Sequence, residues 1–119
     1  MNSTSRPKIL IDTAFSNTVE TFQSETLRPI LKMQNKMFIA FFDQYLSDKK
    51  ILFADLESTQ KTKTIHLIFK KDMVFKSLMI GIVCGQMDEN EYLFYLQNKQ
   101  ELNKRITAMI IERVISQKS

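Results

Sequence analysis

Residues 73–91 read MVFKSLMIGIVCGQMDENE and contain both glycines of the chain. The first twelve positions are mostly apolar and uninterrupted by turn signals, which predicts a helix over Met73–Cys84. We expect Gly85 to end this helix in a left-handed cap. Asp88, with Glu91 three residues later, predicts a capping box at the start of the next helix. The stretch therefore favours an all-α protein.

Small residues recur along the same helix, because Ser77, Gly81 and Gly85 lie four residues apart. Positions with this spacing share one helix face. Ser77 and Gly81 are therefore predicted to mark close packing against another helix, where Gly81→Leu would cost on the order of 1–3 kcal/mol. The core face is expected to consist of the large residues Phe75, Leu78, Met79, Ile82 and Val83.

A long first helix is predicted over about residues 25–45 by apolar residues at three- and four-residue steps. Ser24 is the expected cap, and Pro29 falls in the first turn, where its missing N–H is tolerated. Residues 51–56 are apolar but have no second strand to pair with. A helical or irregular connector is therefore favoured there.

Three further helices complete the predicted fold. One covers about residues 59–69 with Ser58 as its cap, one follows Asp88, and the last covers about residues 100–116. The pattern predicts a compact bundle of four to five helices, in a single domain over residues 23–119. Residues 1–22 are rich in Ser, Thr and Asn and are expected to form a flexible N-terminal arm, with a helical turn near its end.

The composition restricts the class of protein. The chain has 119 residues and one cysteine, Cys84, so it cannot form an internal disulfide, and a reducing cytoplasmic setting is expected. The first residues lack the apolar stretch of a signal peptide. The longest apolar run, residues 77–85, is far shorter than the roughly 20 residues that cross a bilayer. We expect no membrane span.

Positive charge is concentrated in the middle of the chain. Residues 58–87 carry five lysines and one aspartate, a surplus that equals the net charge of +4. Arg28, Lys32 and Lys36 are spaced by four residues and would form a basic stripe on the first helix. Together with Lys70 and Lys71, they are the candidate contacts to phosphate or nucleic acid. The alternative, which we favour, is a solvated helix face.

Residues suited to catalysis are few. His66 is the only histidine, and it lies outside any metal-binding or catalytic spacing. The apolar neighbours of Cys84 should raise its pKa and make it unreactive. We therefore expect no catalytic residues, no metal and no cofactor.

The last helix carries a charged side. Glu101 and Arg105 are a favourable pair four residues apart. Lys104, Arg105, Glu112 and Arg113 form either an ion-pair ladder or a contact face for a partner, and the ladder is the simpler interpretation.

Four runs of sequence carry a family resemblance. They are Thr26-Leu27-Arg28-Pro29…Lys32…Gln34-Asn35, Lys71-Asp72…Phe75…Leu78…Gly81…Gly85-Gln86, Glu91-Tyr92…Tyr95, and Leu102-Asn103-Lys104-Arg105…Met109…Glu112-Arg113. Over roughly residues 22–116, this pattern resembles a family of small bacterial proteins labelled glyoxalase. The resemblance implies lactoylglutathione chemistry as one possible activity, but it transfers no catalytic residue to this chain.

Three functions of different classes remain open. The favoured one is a non-catalytic helical interaction module that docks on a protein partner or self-associates. The first alternative is a basic protein associated with nucleic acid or the ribosome. The second alternative, an enzyme with the glyoxalase activity, would need a site built from few available groups, His66 and Cys84 among them.

Overall fold

The computed structural model describes residues 18–118, which contain six helices and no strand. They are α1 (residues 19–33), α2 (Asn35–Asp48), α3 (Ser58–Lys71), α4 (Met73–Cys84), α5 (Glu89–Gln97) and α6 (Lys99–Lys118). The predicted all-α class is confirmed. The number of helices exceeds the predicted four to five because the long helix expected over residues 25–45 is two helices.

The first helix begins earlier than predicted. Thr18 caps it, since its hydroxyl accepts from the Thr21 N–H at 3.1 Å, and the helical turn Val19–Phe22 follows. Ser24 is therefore not the cap, but an exposed residue inside the helix. Residues 1–17 of the predicted N-terminal arm lie outside the described residues.

Pro29 lies inside α1, and the helix widens ahead of it. A proline ring clashes with the carbonyl of the residue four positions before it, and it offers no N–H to that carbonyl. The π-helical turn Gln23–Leu27 relieves this conflict, and the Arg28 N–H donates to the Gln23 carbonyl. The predicted helix start was too late because Pro29 was expected in the first turn, whereas it lies well inside α1.

A one-residue break at Gln34, with φ −95° and ψ 9°, separates α1 from α2. The apolar pattern continues across it, with Leu27, Ile30 and Leu31 buried before the break and Phe38 and Phe42 buried after it. The side chains of both helices thus enter the same core. Apolar periodicity alone could not reveal the break.

The connector between α2 and α3 is irregular apart from the 3₁₀ turn Phe53–Asp55, as predicted. Phe53 is buried, and its ring meets the Phe42 ring edge-on at 5.5 Å between centroids. The predicted cap of α3 was off by one residue. Glu57 is the N-cap, and its N–H donates to Gln60 Oε1 at 3.5 Å.

The last helix, α6, runs alongside α1 and α2 in the same direction. Arg105 donates to Gln23 Oε1 at 3.0 Å, and Arg113 donates to Asn35 Oδ1 at 3.2 Å. Lys118 Nζ lies 2.8 Å from a carboxylate oxygen of Asp43. Three cations along α6 thus bind residues at three positions along α1 and α2. None of the helices in residues 18–118 combines the length and the apolar character needed to cross a membrane.

Candidate functional site

Helix α4 is apolar on both sides, but only one side is covered. Phe75, Met79 and Val83 are buried in the core. On the other side, Val74 is 81% exposed and Leu78 is 49% exposed. Leu78 was predicted to face the core, and that prediction was wrong. Because nearly every position of α4 is apolar, the sequence does not indicate which side turns inward.

The small residues of α4 also lie on the uncovered side. Ser77, Gly81 and Gly85 are exposed, and a Cβ built on Gly81 would meet no atom of the described residues within 4 Å. The predicted close packing of Ser77 and Gly81 against another helix was therefore wrong for residues 18–118. Gly85 does end the helix, but with φ −63° it is right-handed rather than the expected left-handed cap.

These uncovered residues form one continuous surface, which we call the α4 face: Val74, Ser77, Leu78, Gly81 and Gly85. Their spacing places them along one side of the helix. No charged residue belongs to the α4 face, since Lys76 lines a different groove beside His66 and Lys104. A surface helix normally exposes polar and charged residues, so an exposed side without charge is unusual.

Val74 stands as a ridge between two open grooves. One groove, of about 530 Å³, lies between Val74, Leu78 and the end of α2. The other, of about 550 Å³, lies between Val74, Met73 and Leu67 at the end of α3. Leu67 is 51% exposed and Met73 is 59% exposed. Exposed apolar residues therefore continue from the α4 face across the turn to α3.

Tyr45 and Asp72 line both grooves and fix the start of α4. The Tyr45 hydroxyl donates to Asp72 Oδ2 at 2.9 Å, and the Phe75 N–H donates to Asp72 Oδ1 at 3.0 Å. The bond from the Phe75 backbone, followed by that from Tyr45, holds the pKa of Asp72 below its ordinary value. Burial and then Asp72 raise the pKa of Tyr45.

Sequence reasoning missed the Tyr45–Asp72 bond, because 27 residues separate its partners. The only signal available was the position of Asp72, directly before the apolar run of α4, where an aspartate is a favoured N-cap. That signal predicts the cap, but it does not reveal the partner on α2. Packing strengthens the link, since the Tyr45 and Phe75 rings lie 4.4 Å apart between centroids.

The predicted phosphate-contacting residues are distributed over more than one groove. Arg28 lines a groove of about 410 Å³ together with Glu112 and Arg113 of α6. Lys71 lines the groove beside Met73. All three residues of the basic stripe are exposed, but Lys32 and Lys36 lie on either side of the Gln34 break. Lys70 is exposed at the end of α3.

The predicted partner face of α6 contains two residues that bind within the chain. The Glu101–Arg105 pair is present at 2.8 Å, and Arg105 also reaches Glu20 at 3.5 Å. Arg113 binds Asn35. Lys104 and Glu112 line a groove of about 560 Å³ together with His66. Arg105 thus makes ion pairs, whereas Arg113 binds a neutral amide of α2, so these contacts correspond only in part to the expected ion-pair ladder.

Cys84 lies at the end of α4, beside Tyr95 of α5. Burial raises the pKa of the Cys84 thiol, while the Tyr95 hydroxyl and the charge of Lys99 act in the opposite direction. Burial, with a further contribution from Cys84, raises the pKa of Tyr95 to about 12. The Tyr95 hydroxyl donates to Asn103 Oδ1 at 2.6 Å and so fastens α5 to α6.

Helix α5 begins with the predicted capping box. The Glu91 N–H donates to Asp88 Oδ1 at 2.8 Å, and the Asp88 N–H donates to Glu91 Oε1 at 2.9 Å. Within residues 18–118, no three His, Cys, Asp or Glu side chains are arranged to hold a metal ion.

The fold and the site together define an all-α protein in which one side of α4 is apolar and uncovered by the rest of residues 18–118. No protein-family model, no curated protein and no solved structure matches this chain. The glyoxalase resemblance therefore stays a prediction, and the α4 face is the feature from which function is inferred.

Proposed function

We propose that this chain is a non-catalytic helical interaction module that binds a protein through the α4 face. The observation that carries the proposal is the exposure of Val74 and Leu78 on a helix whose opposite side already fills the core. Apolar helices of globular proteins are normally covered on all sides. A protein partner would supply the missing cover.

The energetics of burial favour this function. Fully burying an aliphatic side chain of this size contributes roughly 1.5–3 kcal/mol. About half or more of the side chain is still exposed in Leu67, Met73, Val74 and Leu78. About half or more of this burial energy is therefore still available to a binding partner. The grooves on both sides of Val74 could accept side chains of the partner. Contiguous exposed apolar surface of this kind is typical of protein-binding sites.

Binding to nucleic acid has weaker support. Phosphate binding requires several cations on one surface. Arg28 shares its groove with the carboxylate of Glu112, while Lys71 lines a separate groove that includes Asp72. These cations therefore lie in separate grooves rather than on one surface, which favours a solvated or intramolecular role for them.

Affinity purification from cells that naturally contain the protein tests the proposal. The wild type is compared with Val74→Asp, which puts a charge on the α4 face. The matched control is Leu52→Asp, because Leu52 is 75% exposed but lies outside the α4 face. We expect bound proteins, a tagged second copy included, to be retained by the wild type and the control and lost from Val74→Asp.

Nuclease treatment separates the two functions. Bound proteins that persist after nuclease and depend on Val74 support the interaction module. Two results would contradict the interaction module. One is binding of the same proteins by the wild type and both variants, and the other is loss of these proteins on nuclease treatment alone. In the second case, binding of RNA or DNA should weaken steeply with salt, and reversing the charges of Lys32 and Lys36 should flatten that dependence.

A further inference from the structure

The two halves of the α4 face have complementary shapes. The first half carries the side chains of Val74 and Leu78, and the second half has only hydrogen at Gly81 and Gly85. Positions 74, 78, 81 and 85 are separated by four, three and four residues, the spacing by which two helices pack along a seam. The space above Gly81 is open within the described part of the chain.

A second α4 in the antiparallel direction fits this pattern. If Leu78 packs on Gly81 of the second copy, the same register places Val74 on Gly85 of the second copy. Each large side chain then fills the space left by a glycine, and the backbones can approach closely. A parallel pair would instead stack valine on valine and glycine on glycine, which leaves a gap along half of the seam.

The charges at the two ends of α4 favour the same arrangement. Lys70 and Lys71 lie just before α4, and Asp88 and Glu89 lie just after it. In an antiparallel pair, the end of α4 beside Lys70 and Lys71 comes next to the end beside Asp88 and Glu89 of the second copy. A parallel pair would bring like charges together at both ends, which is unfavourable.

Other charges near these ends leave that complementarity in place. Asp72 belongs to the basic end, where Lys70, Lys71 and the nearby Lys49 outnumber it. Lys99 is near Cys84 at the acidic end, where the three carboxylates of residues 88–91 outnumber it. The α4 face itself carries no charge and so adds no repulsion between copies.

We propose that the partner at the α4 face is a second copy of this chain, packed antiparallel about a two-fold axis that passes between Leu78 and Gly81. This inference rests on the proposed function, because it names the partner of the same surface. It accounts for the uncharged face, for the open space above Gly81 and for the opposite charges at the two ends of the helix.

Disulfide cross-linking tests the register. In a Cys84→Ala background, a chain carrying Val74→Cys is mixed with a chain of different length carrying Gly85→Cys, and both are checked for helical content. The two positions are eleven residues apart, or about 16 Å along a helix. We expect the mixed pair to form a disulfide on non-reducing gels, and Val74→Cys alone to form none. Efficient self-linking of Val74→Cys would overturn the antiparallel register.

Charge exchange tests the same contact without cysteines. Sedimentation of the full chain over a concentration range should show a dimer. Lys70→Glu and Glu89→Lys should each weaken it by about tenfold at low salt, since a two-fold axis brings oppositely charged ends together twice. The doubly substituted chain should recover most of the lost affinity. Absence of recovery would overturn the predicted pairing of the basic end with the acidic end.

The failure of the inference differs from the failure of the proposed function. A chain that stays monomeric at all concentrations, while another protein binds it in a Val74-dependent way, overturns the second copy but keeps the interaction module. If Val74→Asp changes neither dimer nor partner, both proposals fail.

Discussion

Helices α4 and α6 use their apolar residues in different ways. On α6, Leu102, Ile106, Ile110 and Val114 recur at four-residue steps and are fully buried. On α4, apolar residues occur on both sides, and only one side is covered. The pattern of α6 is satisfied within the chain, while that of α4 exceeds what the described bundle can cover.

Their charges differ in the same sense. The cations Arg105, Arg113 and Lys118 of α6 all bind residues of α1 or α2. The exposed side of α4 has no charge, although charges flank both of its ends. The difference indicates that α6 holds the bundle together, whereas α4 both completes the bundle and offers a surface to a partner.

The largest expected contrast comes from one substitution made on each helix. Val114→Ala on α6 removes two buried methyl groups and leaves a cavity, which should lower the free energy of unfolding by about 2 kcal/mol. Val74→Ala on α4 removes the same groups from a side chain that is 81% exposed. Urea unfolding at low protein concentration should show a change within about 0.5 kcal/mol.

One result of these unfolding measurements would contradict the expected difference between Val114 and Val74. Equal losses from Val114→Ala and Val74→Ala would mean that Val74 is covered within the monomer, and the difference between the two helices would disappear. Sedimentation of both variants completes the measurement, since only Val74→Ala should reduce self-association.

The same comparison explains how much of the fold could be predicted. The bounds of α4 and the Asp88 capping box were correct because short-range signals define them: an apolar run, a glycine and a carboxylate before a helix. The π-helical turn before Pro29 and the break at Gln34 were missed. Both depend on how the chain meets its neighbours, and neither interrupts the apolar pattern.

The candidate site was predicted only in part. Gly81 and Ser77 were correctly identified as a smooth strip, but their side of α4 was taken to be internal. On α6, charged residues between the apolar ones fix which side turns inward, and Leu102, Ile106 and Ile110 are buried. On α4, the single charged residue, Lys76, lies beside His66 and Lys104 and not on the exposed side, so it did not provide that information.

The second prediction concerns Asp72, which fixes the start of α4. Asp72→Ala removes both the cap at the Phe75 N–H and the bond from Tyr45, so it should destabilise the protein at neutral pH. Because the folded pKa of Asp72 lies below the ordinary value of 3.8, its contribution is present above that pH and is lost as pH falls through the folded pKa.

Unfolding by urea at a series of pH values from neutral to strongly acidic measures this. The acid-side loss of stability should be less steep in Asp72→Ala than in the wild type. Tyr45→Phe is the graded control, since it removes the bond that lowers the pKa of Asp72 less, and it should therefore flatten the curve less than Asp72→Ala does. Identical slopes in all three proteins would show that Asp72 does not hold α4 in place.

The third prediction separates the monomer from the dimer at Gly81. Gly81→Ala adds a methyl group that meets no described atom within 4 Å, and it reduces the freedom of the unfolded chain. The monomer should gain about 0.5–1 kcal/mol of stability. Because Leu78 of the second copy would use the same space, self-association should weaken at the same time.

Gly85→Ala is the matched control for Gly81→Ala. Its new Cβ would lie 3.3 Å from the Gly81 carbonyl oxygen, so the gain in monomer stability should be smaller. Urea unfolding at low concentration and sedimentation at high concentration measure the two effects separately. A loss of monomer stability in Gly81→Ala would mean that the position is covered, and it would remove the contrast between α4 and α6.

The smallest expected effect concerns the polar contacts of α6. Arg105→Met keeps the apolar stem but removes the bonds to Glu101 at 2.8 Å, Gln23 at 3.0 Å and Glu20 at 3.5 Å. Exposed ion pairs contribute little, so the loss of stability should be well below that of Val114→Ala. At about 1 M salt, where screening acts within roughly 3 Å, the part of the loss due to the two carboxylates should shrink. The part due to the neutral Gln23 should remain.

Lys118→Met is the control for urea unfolding at low and high salt. Its contact with Asp43 at 2.8 Å is ionic, so salt should reduce its contribution to stability more completely. A loss from Arg105→Met that salt leaves unchanged would show that the bond to Gln23 alone ties α6 to α1.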